Sequence, residues 1–141
     1  MQENNKNNNK QDYTELIKAA LEARNFSHSP YSHFRVGAAV LSDEGKIFTG
    51  TNIENASYPA TICAERVAVS KAVSEGYKNI KAVAITSSYD EFVFPCGVCR
   101  QFMVEFAVKN DIDIVLALSA EKFEIHNLKD LIPHSFILKN E

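Results

Sequence analysis

The sequence predicts an α/β domain: three layers, α/β/α, around a mixed, mostly buried sheet of about five strands. Helical and strand patterns alternate through residues 62–117, which calls for helices on both faces of one sheet. Two runs, IKAVAITS (80–87) and IDIVLAL (112–118), are nearly continuous in apolar residues, as strands covered on both faces are. A length of 141 residues with 45% hydrophobic content suits one ordinary domain with a single core.

The elements follow in chain order. MQENNKNNNKQD carries no apolar residue between Met1 and Tyr13, so residues 1–12 are expected to be a disordered Asn/Lys-rich tail and 13–141 the single domain. Asp12 with Glu15 three residues on reads as an N-cap pair. Tyr13, Ile17, Ala20 and Leu21 share a face at helical spacing, giving a first helix to about Arg24. Ser29 and Pro30 end that region. Phe34–Leu41 and Lys46–Ile53 are apolar or β-branched runs joined through SDEG, a hairpin. A helical pattern begins near Cys63 and stops at Gly76. The strand at 80–87 follows, and Pro95 closes the next loop. A second helix is expected over Gly97–Lys109, then the strand at 112–118, a shorter strand KFEIHN and a last helical turn in NLKDLIP.

Composition narrows the partners. Net charge is -3 and the pI about 5.8, and the lysines of NNKNNNK are diluted by asparagine, so no basic stripe suits a phosphate backbone. A small neutral ligand fits better than a nucleic acid. No apolar run approaches eighteen residues, and the N-terminus lacks the order of a secretory signal, so no membrane partner is expected. The expected location is cytoplasmic, where thiols stay reduced.

Three cysteines cannot close into disulfides within one chain, which makes a shared metal the first idea to weigh. Cys63 lies in TICAER; Cys96 and Cys99 lie in PCGVCRQ. Both strings follow a loop and open a predicted helix, where free N–H groups and the helix dipole favour thiolate. Thiolate is the form that binds metal, and a tetrahedral Zn2+ with three protein ligands keeps a fourth position open, as catalytic sites do. Softness favours Zn2+ without excluding Fe2+ or Co2+. The four histidines, His28, His33, His126 and His134, lack paired ligand spacing.

Residues two apart in a helix body point to nearly opposite sides, so Cys63 and Glu65 can share a centre only at the helix entrance. There the longer carboxylate reaches past the thiolate, as a general acid/base beside an activated water does. Taken alone, Glu65 reads sooner as a first-turn glutamate stabilised by the dipole than as a catalytic group. Three thiolates around Zn2+ leave a charge of about -1, which nearby cations would soften. Arg66 is expected to donate to the sulfurs, whereas Arg100 reads as either a second such cation or a solvated helix arginine. PCGVC alone would also suit a thiol redox protein, but such a pair has no use for a third thiol with an attached carboxylate.

CAE followed about thirty residues later by PCxxC resembles the zinc nucleobase deaminases. With cysteine at 63, and with FRVGAAV and TNIENASYPATICAER around it, the chain resembles the small homotetrameric zinc-dependent cytidine deaminases, from about Tyr13 to Phe136. That resemblance implies the cytidine-deaminase-like fold and one Zn2+ per chain on Cys63, Cys96 and Cys99, with Glu65 moving protons. It implies that Phe34 packs on the pyrimidine, that Asn52 and Glu54 hold the ribose hydroxyls, and that backbone around Ala64 and Cys96 reads the base edge. It further implies a homotetramer in which Phe136 reaches a neighbouring site. Near the C-terminus the family usually shows a string like LLPGAF; here LIPHSF puts His134 and Ser135 in place of the small pair, which removes backbone freedom at that turn. The activity implied is hydrolytic deamination of cytidine and 2'-deoxycytidine in pyrimidine salvage. A deaminase for a modified cytosine nucleoside such as blasticidin S, a polynucleotide-editing deaminase and a non-catalytic zinc domain are the alternatives.

Overall fold

The computed structural model describes residues 12–107 and 111–139. Helix α1 (Thr14–Ala23) is followed by strands β1 (Val36–Ser42) and β2 (Ile47–Thr51), helix α2 (Ala64–Ser74), strand β3 (Ile80–Ser87) and helix α3 (Gly97–Val104). Strands β4 (Asp113–Ala117) and β5 (Phe123–Asn127) and the short helix α4 (Leu128–Leu131) complete the order. The five strands form one sheet in the order β2-β1-β3-β4-β5, in which β3 and β4 pair parallel and the other neighbours antiparallel.

Alternation along the central strands explains why they read as unbroken apolar runs. In β3, Ala82 and Ala84 face α1, where Leu16, Ile17 and Ala20 pack on them with Ala39 and Val115. Val83 and Ile85 face the opposite way, into a thicker layer with Ala68, Val69 and Ala72 of α2, Met103 of α3, and Ile114 and Leu116 of β4. Small side chains on one face and branched ones on the other give the three expected layers.

Gly50 of β2 sets where α2 begins. A Cβ built there would lie 2.4 Å from Ala64 O and 2.5 Å from Ala68 N, so only hydrogen lets the first turn of α2 rest on the strand. At the other end Gly76 takes φ 94 and stops the helix.

The helix ends differ from expectation for local reasons. Tyr13, not Asp12, is the N-cap of α1; Asp12 stands one residue before it, and its Oδ1 accepts from Thr14 N–H at 2.9 Å and from Thr14 Oγ1 at 2.6 Å. Glu15 does not complete a capping box and pairs instead with Lys18 at 3.8 Å on the exposed face. The buried stripe of α1 includes Leu16 and Ala23, and Leu21 is only half-buried. Arg24–Phe26 continue as a 3-10 turn. α3 ends at Val104, short of Lys109, because Phe106 turns back: its N–H donates to Met103 O and its carbonyl accepts from Ile80 N–H of β3. Residues 1–11 of the tail expected at 1–12, and residues 108–110 and 140–141, lie outside the described residues. No described helix is long and apolar enough to cross a membrane.

Tyr13 ties the start of the first helix to the start of β4, its phenol donating to Asp113 Oδ2 at 2.5 Å. Burial, and then the Asp113 bond, push the phenol above its usual 10. The proton is thus held more tightly in the folded chain. Its stabilising contribution is intact below pH 10 and declines above it, as the unfolded chain's tyrosine ionises first. Tyr13→Phe is expected to lower stability at pH 7 by about 1 kcal/mol in urea unfolding. The gap between the two proteins should narrow above pH 10, and a gap that widens there would contradict the assignment.

Candidate metal centre and active-site cleft

The two cysteine strings meet where two helices point at one spot beyond the carboxyl end of β3. Cys63 is the residue before α2 and Cys96 the residue before α3, both in extended backbone, and Cys99 lies in the first turn of α3. Their sulfurs all lie within 4.8 Å of one another, and Cys63 Sγ is 3.9 Å from Cys96 Sγ. Zn–S bonds of about 2.3 Å at tetrahedral angles put neighbouring sulfurs roughly 3.8 Å apart, so the triad fits Zn2+ with one position left open. Among the described residues it is the one cluster of this kind; the histidines take no part in it.

The sulfurs share protons unequally. The hydrogen bond from Cys99 and, after it, the Arg66 guanidinium bring the Cys63 thiol down to about 5, overcoming its partial burial. The same bond and burial push Cys99 up. Arg66 Nη2 stands 3.6 Å from Cys63 Sγ and 3.5 Å from Thr61 O. Its Nε is buried without a hydrogen-bond partner among the described residues. Arg100 does something else. Its Nε donates to Pro95 O at 2.8 Å and its Nη1 to Leu131 O at 2.7 Å, bracing the Cys96 loop against α4.

Glu65 lies in the first turn of α2 and is 4% exposed. Burial lifts its carboxyl to about 7, with the charge of Cys63 adding to the rise and a hydrogen bond with Cys99 opposing it. The carboxyl therefore touches the sulfur cluster and sits near the midpoint between acid and base at neutral pH.

A cleft of about 150 Å³ opens over this floor. Cys63, Ala64, Glu65 and Cys96 form one side, and Phe34, Asn52 and Glu54 reach it from the other. The Phe34 ring lies 4.5 Å from that of Tyr89. Asn52 is almost fully engaged: Oδ1 accepts from Val36 N–H at 3.0 Å and from the Ser27 hydroxyl, and Nδ2 donates to Phe34 O at 2.7 Å. One N–H remains for a ligand. Glu54 is held ionised, its carboxyl lowered chiefly by the hydroxyl of Ser32. Phe136 stands apart from the cleft, 69% exposed, with Gln101 Nε2 donating to its carbonyl at 2.8 Å. His134 takes φ 56, so it adopts the left-handed turn that a glycine would reach without strain.

Two aromatic residues escaped sequence reasoning. Phe94 lines the cleft and contacts His126 edge-on with ring centres 5.0 Å apart, and Tyr89 backs Phe34. The signal for Phe94 was its place directly before PCGVC; nothing local marks Tyr89. A larger cavity of about 380 Å³ lies between α1, β2 and α2, lined by Ala19, Ala23, Phe26 and Val67, and holds none of the perturbed groups.

Residues 10–113 match the family described as the cytidine and deoxycytidylate deaminase zinc-binding region. A cytidine deaminase of Halalkalibacterium halodurans is 43% identical over 121 residues, spanning 86% of this chain and 91% of that protein. A probable cytidine deaminase of Dictyostelium discoideum is 56% identical over 99 residues, or 70% of this chain and 67% of that one. The crystal structure of cytidine deaminase from Burkholderia pseudomallei superposes with a TM-score of 0.82 at 38% identity, over 89% of this chain and all of that one. Three sulfurs set for zinc beside a buried glutamate, on this five-stranded sheet and with these relatives, place the chain in the small zinc-dependent cytidine deaminase family.

Proposed function

We propose that this protein deaminates cytidine and 2'-deoxycytidine hydrolytically, giving uridine and 2'-deoxyuridine with release of ammonia, and that it serves pyrimidine salvage in a reducing cytoplasm. The observation that carries the reading is Glu65: a buried carboxyl at about 7, touching the sulfur cluster at the floor of a cleft.

Cys63, Cys96 and Cys99 would hold Zn2+, which would supply a Lewis acid able to make water acidic at neutral pH. Glu65 takes the proton of the attacking water and hands it to ring N3, which makes C4 electrophilic as the C–O bond forms. The same carboxyl, ionised again, takes the proton of the new C4 hydroxyl and passes it to the amine; the C–N bond breaks, ammonia leaves and C4 keeps the oxygen as a carbonyl. The Phe34 ring, backed by Tyr89, holds the pyrimidine flat while the backbone near Ala64 and Cys96 reads its edge. The free N–H of Asn52 and the carboxylate of Glu54 grip a sugar hydroxyl as donor and acceptor. Arg66 offsets the negative charge of three thiolates, which would otherwise resist ionisation of water.

The working form in this reading is a homotetramer with Phe136 closing a neighbour's cleft. Three features support it: a cleft small for a whole nucleoside, large apolar side chains left exposed at Phe26, Tyr58 and Leu138, and the apolar groove between α1 and α2.

Ultraviolet absorbance of cytidine, deoxycytidine and CMP with the zinc-replete protein, with ammonia assayed in parallel, tests the activity. Loss of both nucleosides with matching ammonia, and little reaction of CMP, is expected. Turnover of a cytosine nucleoside antibiotic with cytidine untouched, or silence on all substrates at one zinc per chain, would overturn it.

A further inference from the structure

Between Pro30 and Phe34 the chain passes through a turn that its own side chains resist. His33 sits at φ 59, left-handed, where a Cβ crowds the following carbonyl. Two hydrogen bonds hold it there: His33 N–H donates to Ser29 O at 2.9 Å, and Phe34 N–H donates to Ser32 Oγ at 3.0 Å. Backbone kept in such a conformation by its surroundings marks a place where position matters.

What the turn delivers is a cradle for one carboxylate. Tyr31 N–H and Ser32 N–H converge on Glu54 Oε1 at 3.0 and 3.1 Å, and the Ser32 hydroxyl donates to Oε2. Because that hydroxyl already accepts from Phe34 N–H, its proton is directed at Glu54. Phe34 is in turn fixed at its carbonyl by Asn52 Nδ2 at 2.7 Å. Ser32 itself does not line the cleft. It reaches a ligand through the Glu54 side chain, which its hydroxyl holds directly, and through the backbone of Phe34, which Asn52 also fixes.

We propose that Ser32 is a positioning residue: its hydroxyl, oriented by the Phe34 amide, sets the angle at which Glu54 meets a sugar hydroxyl and so tightens binding of the nucleoside. The inference rests on the reading above that Glu54 grips the sugar. With the hydroxyl gone, the two backbone donors still hold Oε1, so Glu54 stays in place but Oε2 swings free. Binding should suffer while the chemistry at Glu65 and the sulfurs does not.

The test compares Ser32→Ala, Ser32→Thr, Glu54→Ala and the Ser32→Ala/Glu54→Ala double variant, all zinc-replete, on cytidine and on 2',3'-dideoxycytidine, which lacks both sugar hydroxyls of the ring. Ser32→Ala is expected to raise KM for cytidine about tenfold with kcat within about twofold. It should leave KM for the dideoxy substrate and the zinc content unchanged, and Ser32→Thr should restore most of the loss. In the Glu54→Ala background it should add nothing. An equal rise in KM for both substrates, a fall in kcat with zinc loss, or an unchanged KM for cytidine while Glu54→Ala raises it would each overturn the proposal. If Glu54→Ala itself leaves KM for cytidine unchanged, the sugar-binding reading of Glu54 falls and this inference with it.

Discussion

Glu65→Gln is expected to keep one zinc per chain and a folded core while losing about three to four orders of magnitude in cytidine turnover, the upper range for a positioned acid/base. The amide has the same shape and fills the same buried site in the first turn of α2, so the packing there is preserved. It can neither take nor release a proton at neutral pH. The carboxyl it replaces is held at about 7 mainly by burial, so the chain keeps an ionisable group where an uncharged one would fit more comfortably. Such a placement trades stability for activity, and the variant should be no less stable than the parent. Glu65→Asp keeps the acid but shortens its reach, and should fall between the two. Turnover by Glu65→Gln within tenfold of the parent, at full zinc content, would remove Glu65 from the chemistry.

The parts of this molecule that could be read from sequence are those where chemistry and spacing are local. Cys63 with Glu65, and Cys96 with Cys99, lie within four residues of one another in each string, and helix starts bring such neighbours to one point. The strands β3 and β4 were legible because both of their faces are covered along most of their length, which favours apolar residues at nearly every buried position. Helix ends were less so. The apolar period of α3 continues through Phe106 and Ala107, but the Phe106 carbonyl is claimed by Ile80 N–H, a partner 26 positions away that no local pattern announces. The cradle around Glu54 was hidden for the same reason, since Ser32 and Glu54 are separated by the whole first hairpin. Arg100 illustrates the limit in the other direction: adjacent to Cys99 in sequence, it turns from the sulfurs to the carbonyls of Pro95 and Leu131, because two oriented acceptors within reach suit a guanidinium fork.

Cys99→Ser is expected to lose the zinc altogether, with cytidine turnover falling by more than three orders of magnitude. A serine hydroxyl does not ionise at neutral pH, so two sulfurs remain where an open tetrahedral site needs three protein ligands. Cys63 would also lose the thiol whose hydrogen bond is the largest cause of its acidity. The two α3 cysteines should then part company in stability. Cys96 is exposed, whereas Cys99 is fully buried in the layer between α3 and the sheet. A hydroxyl left there without a partner costs about 1–3 kcal/mol beyond the shared loss of zinc, so Cys99→Ser should unfold at lower temperature than Cys96→Ser. Zinc that binds only the folded chain stabilises it by about 4 kcal/mol when free metal exceeds its dissociation constant a thousandfold. A chelator should therefore lower the melting temperature of the parent and leave both variants unmoved. Zinc analysis by atomic absorption together with melting curves with and without chelator would decide it: a Cys99→Ser protein that retains one zinc per chain, or whose melting still responds to chelator, would mean that the metal is held by something other than the three sulfurs.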